Sequence, residues 1–137
     1  MLNVLLVEDQ KDSRLLFEQT LVSRGHTVTV CEDTETAWTA YQRDHYPLVL
    51  LGLGLPGSTI DGLQLCRSIR AHGRGSYSII VMTTAHNVHD DLPAMLEAGA
   101  NDYLTKPISL DVLTMRLSIA EQWAIAESVA LDLSQES

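Results

Sequence analysis

LVLLGLGLP, Leu48 to Pro56, places four consecutive apolar residues ahead of Gly52-Leu53-Gly54 and stops at a proline. A strand with one face in water alternates apolar and polar residues; this one does not, so it reads as a strand buried on both faces. Such a strand belongs at the centre of a parallel sheet, because crossover connections are what cover both faces. In open sheets of that kind the working site lies outside the carboxyl ends of the central strands. The site is therefore expected near Gly52, a residue with no side chain.

Outward from this strand the chain repeats one pattern. On the amino-terminal side, Asn3 to Val7 (NVLLV) is a short apolar strand, and Asp12 to Ser23 is a helix with Leu16, Phe17, Thr20 and Leu21 at helical spacing, closed by Gly25. Thr27 to Cys31 (TVTVC) alternates as a strand, and Thr34 to Asp44 is a helix with Ala37, Ala40 and Tyr41 at three- and four-residue intervals. On the carboxyl side, Asp61 opens a third helix that His72-Gly73 stops. Ser78 to Thr83 is the fourth strand, Val88 to Ala98 a helix ended by Gly99, Asp102 to Leu104 a short fifth strand, and Leu110 onward a fifth helix. Five strand-helix repeats imply a parallel sheet with helices on both faces, a three-layer α/β/α fold. The last helix carries two apolar stripes, Leu113, Leu117, Ala120 and Ala124 on one side and Val112, Met115, Ile119 and Trp123 on another. One stripe packs on the sheet. The other is either part of a wide buried face, or marks a continuation beyond Ala120 into a linker helix or a homodimer contact.

Composition narrows the function classes. The 137 residues suit one domain with a single core, read as residues 1–122 with 123–137 a helical extension or linker. Nine basic against eighteen acidic residues give a net charge of −9, which argues against nucleic acid and anionic membrane as partners. The apolar run at the amino terminus is short and meets Glu8 and Asp9, unlike a signal peptide, and no stretch approaches a membrane span. Cys31 and Cys66 have no CxxC partner and read as buried thiols in a reducing, cytoplasmic setting.

Candidate chemistry gathers at the carboxyl edge of the sheet. Glu8-Asp9 directly follows the first strand, where paired carboxylates either hold a divalent cation or cap the next helix. Thr84 ends the fourth strand, as a hydroxyl donor to an anionic oxygen or a simple turn residue. Lys106, in LTKP, follows the fifth strand and would alone be a solvated charge. All converge on Gly52. His86 and His89 have metal-like spacing but no third ligand nearby.

VEDQ, LVLLGLGLP, DGLQL, VMTTAH and AGANDYLTKP resemble, in order and spacing, the receiver domain of bacterial two-component response regulators, over about residues 3 to 120. The resemblance implies a flavodoxin-like doubly wound sheet of strand order 2-1-3-4-5. It also implies phosphorelay signalling: a sensor histidine kinase passes a phosphoryl group to an aspartate ending the third strand, beside a bound Mg²⁺. On this likeness Glu8 and Asp9 are the acidic pair and Gly54 supplies a metal-binding carbonyl. Thr84 is the hydroxyl that reports phosphorylation, Tyr103 the aromatic switch and Lys106 the phosphate-contacting lysine. The aspartate position falls on Gly52, and glycine has no oxygen with which to attack phosphorus. The loss also removes a charged ligand, so Mg²⁺ binding is expected to weaken, and Lys106 is freed to pair with Asp9 or Glu8. Four residues separate Pro56 from Asp61 where the family usually has two, which puts Ser58 or Thr59 over the site.

The expectation is an atypical receiver that signals through protein contacts, to a sensor histidine kinase or a downstream output protein or domain, without phosphorylation at Gly52 and without enzymatic activity. The alternative is a conventional receiver in which Gly52 is a one-base variant of an aspartate. A remoter reading is a flavodoxin-like flavin or nucleotide binder, although Glu8-Asp9-Gln10 would repel phosphate in the loop where such proteins cradle it.

Overall fold

The computed structural model describes residues 1–53, 61–85 and 88–135, with backbone alone for 88–90. Five strands, β1 (Asn3–Val7), β2 (Thr27–Cys31), β3 (Leu48–Gly52), β4 (Ile79–Thr84) and β5 (Asp102–Thr105), form one parallel sheet in the order β2-β1-β3-β4-β5. The helices are α1 (Lys11–Ser23), α2 (Thr34–Arg43), α3 (Gly62–Ala71), α4 (Val88–Ala98) and α5 (Leu110–Gln135). This is the doubly wound fold and strand order expected.

The unbroken apolar run of β3 has a direct cause in the packing. Its five residues are all buried. Val49 and Leu51 enter a core shared with Ala37 and Tyr41 of α2, Leu65 and Ile69 of α3 and Met95 of α4. Leu48 and Leu50 enter a second core with Phe17 and Leu21 of α1 and Leu113, Leu117 and Ala120 of α5. Successive side chains point to opposite faces of a strand, so two dry faces demand an apolar residue at every position. The same parity runs through β1, where Leu5 and Val7 face α2–α4 and Val4 and Leu6 face α1 and α5.

Local signals start and stop the helices. Asp33 and Asp61 cap α2 and α3, their carboxylates accepting from the backbone N–H of Thr36 (2.7 Å) and Gln64 (2.8 Å). These bonds hold the Asp33 carboxyl below its ordinary range. Gly25 and Gly99, both at positive φ, end α1 and α4. At the start of α3, a Cβ on Gly62 would collide with the carbonyl oxygen of Gly52. Only glycine lets the helix start that close to the end of β3.

Around β4 the structure differs from the sequence reading. Strand β4 begins at Ile79 and includes Thr84, because the Ser78 hydroxyl is spent below the strand on Tyr46 O and Tyr41 Oη, both at 2.6 Å. A short 3₁₀ turn, Gly75–Tyr77, intervenes before it. Arg70 staples that turn: its guanidinium donates to the carbonyls of Gly75, Ser78 and Gly99 and to Asn101 Oδ1. Helix α5 runs through residue 122 without a break, as far as Gln135. It is tied to the α1–β2 turn by Glu121, which takes Arg24 (2.6 and 2.7 Å) and His26 (2.5 Å). The hydrogen bond from Arg24 holds the Glu121 carboxyl below its ordinary range, against the opposing effect of burial.

Both cysteines are buried free thiols. Burial pushes the Cys66 thiol up to about 11, and its Sγ donates to Ala98 O. Among the described residues no helix is long and apolar enough to cross a membrane.

His45 lies against Tyr41, with ring centroids 6.4 Å apart, and neither of its buried ring nitrogens has a hydrogen-bond partner among the described residues. Burial first, and Arg74 second, push its pKa below the ordinary 6.5. The unfolded chain therefore takes up this proton more readily than the fold does, and His45 subtracts stability as pH falls below 6.5. His45→Phe is expected to flatten that decline and to be no less stable than the parent at neutral pH, as read by urea unfolding at neutral and mildly acidic pH.

Candidate functional site

Parity places the site residues before any contact is considered. Val4 and Leu6, Leu48 and Leu50, Ile79 and Val81, and Leu104 face α1 and α5. Two residues further along each strand, the same face carries Glu8, Gly52, Thr83 and Lys106. The ladder is extended past the strand ends to hold them: Glu8 N donates to Cys31 O (3.0 Å), Leu53 N to Thr83 O (2.8 Å) and Lys106 N to Thr84 O (2.8 Å). Gly52 itself is buried and lies opposite Thr83 in register.

At the centre is an ion pair. Glu8, 1% exposed, places Oε1 2.8 Å from Lys106 Nζ. Its Oε2 accepts from Gln10 N at 3.0 Å, and Thr83 Oγ1 donates toward Oε1 at 3.5 Å, the long end of hydrogen bonding. Lys106 also donates to Gln10 Oε1 at 3.0 Å. A carboxylate this deeply buried is tolerated only when paired and hydrogen-bonded, and here it is both. Glu8 thus meets a lysine ammonium and satisfies the N–H of Gln10, the N-cap residue of α1, which has no side-chain cap bond of its own. Asp9 is half-buried, and its backbone carbonyl accepts from Arg14 Nη1 at 3.1 Å.

Thr84 and Tyr103 sit apart from this centre. Thr84 has the opposite parity, and its hydroxyl lies 3.2 Å from Asp91 Oδ2 of α4. Tyr103 is half-buried at the edge of the α2–α4 core, with the Arg116 guanidinium 5.5 Å over its ring. Arg116 is held there by Asp102 at 2.5 Å. Gly54, Ser58, Thr59 and His86, and the side chain of His89, lie outside the described residues.

Sequence reasoning did not single out Thr83, Gln10 or Asp91. Parity was the available signal for Thr83: in VMTT, two adjacent threonines face opposite sides of the strand, and only one shares the face of Glu8 and Lys106. Gln10 and Asp91 carried no comparable signal, since their roles depend on where loops and helices dock.

This arrangement holds a charge pair and offers no nucleophile at the end of β3. A phosphate group arriving at Lys106 would have to displace Glu8. Hard cations take several oxygen ligands; among the described residues the Glu8 carboxylate is engaged by Lys106 and Gly52 has no side-chain oxygen, which leaves Asp9 as the carboxylate of the pair not bound to Lys106, and the carbonyl of Gly54 lies outside the described residues. No group of three His, Cys, Asp or Glu is placed to hold a metal among the described residues.

Residues 4–118 match the response regulator receiver domain family. The chain is 38% identical over 114 residues to the transcriptional regulatory protein TcrA of Mycobacterium tuberculosis, covering 83% of this chain and 44% of that protein. It therefore spans about half the length of the curated relatives it matches. Among solved structures it is similar to the receiver domain of the sensor histidine kinase PA1611 from Pseudomonas aeruginosa, which has magnesium coordinated in its active-site cleft. That likeness has a TM-score of 0.77 at 33% identity and covers 90% of this chain and 97% of that one. NtrX from Brucella abortus gives a TM-score of 0.81 at 27% identity, over 99% of this chain and 29% of its own.

Removing one partner of the central pair tests its weight. Lys106→Met leaves the Glu8 carboxylate buried without a counter-charge and is expected to cost about 3 kcal/mol in urea unfolding at neutral pH. Adding Glu8→Gln should recover much of that loss, so that the double variant is more stable than the two single effects summed.

Proposed function

The chain belongs to the response regulator receiver domain family, and from that premise we propose a receiver that works as a protein-interaction module without phosphorylation at Gly52. The observation that carries this reading is the end of β3. The residue there has no oxygen, and the lysine beside it is already neutralised by Glu8 at 2.8 Å. Phosphoryl transfer depends on positioning and charge neutralisation, but it still needs an attacking group. With that group gone and the cation engaged, the module is a fixed surface to be read by a sensor histidine kinase or by an output domain or protein. It acts as a binding component of a cytoplasmic phosphorelay, not as an enzyme, and any Mg²⁺ it takes is held weakly for want of a carboxylate at Gly52.

Gly52 is not among the positive-φ glycines, so its backbone conformation is one that an aspartate adopts. Incubation with a small-molecule phosphodonor is expected to leave the parent chain unlabelled, with or without Mg²⁺. Gly52→Asp is expected to take up label only when Mg²⁺ is present. Stoichiometric labelling of the parent, read by intact mass, would overturn the proposal.

A further inference from the structure

The edge of the sheet opposite Gly52 carries a cavity of about 130 Å³. It opens where α2 and α3 end and the chain turns back toward β3 and β4, and its lining includes Tyr41, Arg43, Asp44, His45, His72 and Arg74. Tyr41 is buried, and an imidazole from each connection stands edge-on to its ring, His45 at 6.4 Å and His72 at 6.1 Å between centroids. Both ring nitrogens of His45 are buried and have no hydrogen-bond partner among the described residues. Buried polar atoms left unmet cost stability, and beside a polar cavity their partner comes from whatever fills the space.

The charges narrow what that is. In a chain of net charge −9, residues 62–89 contain three arginines and no aspartate or glutamate. Arg70 is turned inward onto backbone carbonyls, whereas Arg74 is exposed at the cavity and is joined there by the exposed Arg43 from the end of α2. Neither Arg43 nor Arg74 makes an ion pair among the described residues, and Asp44, the carboxylate of the lining, is paired with neither. Helix carboxyl ends favour a nearby cation, which accounts for Arg43 in the last turn of α2 and Arg70 in the last turn of α3. It does not account for Arg74, or for ring nitrogens buried without partners. A metal ion is a poor occupant, since no group of three His, Cys, Asp or Glu is placed to hold one among the described residues. A nucleotide is too large, because pockets for ligands of that size begin at roughly 300 Å³. A small tetrahedral oxyanion meets both limits: guanidinium groups bind it through paired N–H donors, and an imidazole N–H supplies one more.

We propose that this cavity binds a small oxyanion of the phosphate or sulfate class, held by Arg43, Arg74 and His45. Strand β3 puts roughly 15 Å between this edge and Gly52, so the site is independent of the chemistry there. Burial, and then Arg74, lower the His45 pKa from 6.5. An anion beside the ring favours its charged form and so raises that pKa. The other titratable groups around the cavity are Tyr41, Arg43 and Asp44 from α2 and its end, and His72 and Arg74 from the end of α3.

The test titrates the whole chain with inorganic phosphate at neutral pH, against sodium chloride at matched ionic strength, and follows the His45 ring signals by NMR. Those signals are identified by their loss in His45→Phe. Phosphate is expected to move them saturably, and chloride to leave them in place. Arg74→Ala, at an exposed position, should weaken binding about tenfold, the worth of one charge-assisted hydrogen bond, and Asp44→Asn should tighten it. Arg67→Ala, which removes an exposed arginine outside the lining, should leave it unchanged. In sulfate, whose charge is constant over the range, the His45 titration midpoint should lie above its value in chloride. The proposal is overturned by shifts that do not saturate or that chloride reproduces, by equal His45 midpoints in sulfate and chloride, by an Arg67→Ala loss as large as that of Arg74→Ala, or by an Asp44→Asn variant that binds no more tightly.

Discussion

A strand buried on both faces has no side on which to place a polar residue, and in this protein β3 imposes that constraint on everything around it. Its five residues are buried, and its alternate side chains enter two different cores. Helices must cover both faces, the connections must be crossovers, and the strands must run parallel. Polar chemistry is thereby pushed to the one place where backbone and side chains escape the layers, the carboxyl edge. The charged centre of the candidate site lies there, on the face that parity assigns to Glu8, Gly52, Thr83 and Lys106.

At that edge two opposite charges are matched to each other. A buried glutamate without a cation would carry a desolvation cost of several kcal/mol. Pairing Glu8 with the half-buried Lys106 offsets that cost, and Gln10 completes the pair with one bond to each partner. Among the described residues the charges of Glu8 and Lys106 are thus met within the edge itself. Thr84 and Tyr103, residues that the receiver likeness links to a signalling state, lie outside the pair. They are held instead through Asp91 of α4 and Arg116 of α5.

The two faces of α5 divide labour in a similar way. Leu117, Ala124 and Leu131 recur every seven residues on the inner side, so the helix stays docked well beyond the residues that cover the sheet. Arg24 and His26 draw Glu121 to the same side. The outer stripe of Val112, Met115, Ile119 and Trp123 stays exposed.

Much of the fold was legible in the sequence, because the signals involved are local. Apolar runs, helical spacing, capping aspartates and turn glycines placed all five strands and all five helices to within a residue or two. The run LVLLG marked the central strand because burial on both faces removes alternation, and the missing oxygen of Gly52 is a property of the residue alone. What the sequence could not carry were choices among distant partners. Lys106 had two acidic candidates and takes Glu8; Arg70, a surface charge by composition, becomes the staple of the 3₁₀ turn; and adjacent Thr83 and Thr84 part to opposite faces. The second stripe of α5 could be seen in the sequence, but not whether it was covered. These outcomes depend on side-chain parity and helix docking across the assembled sheet, distances that exist only once the chain has closed on itself.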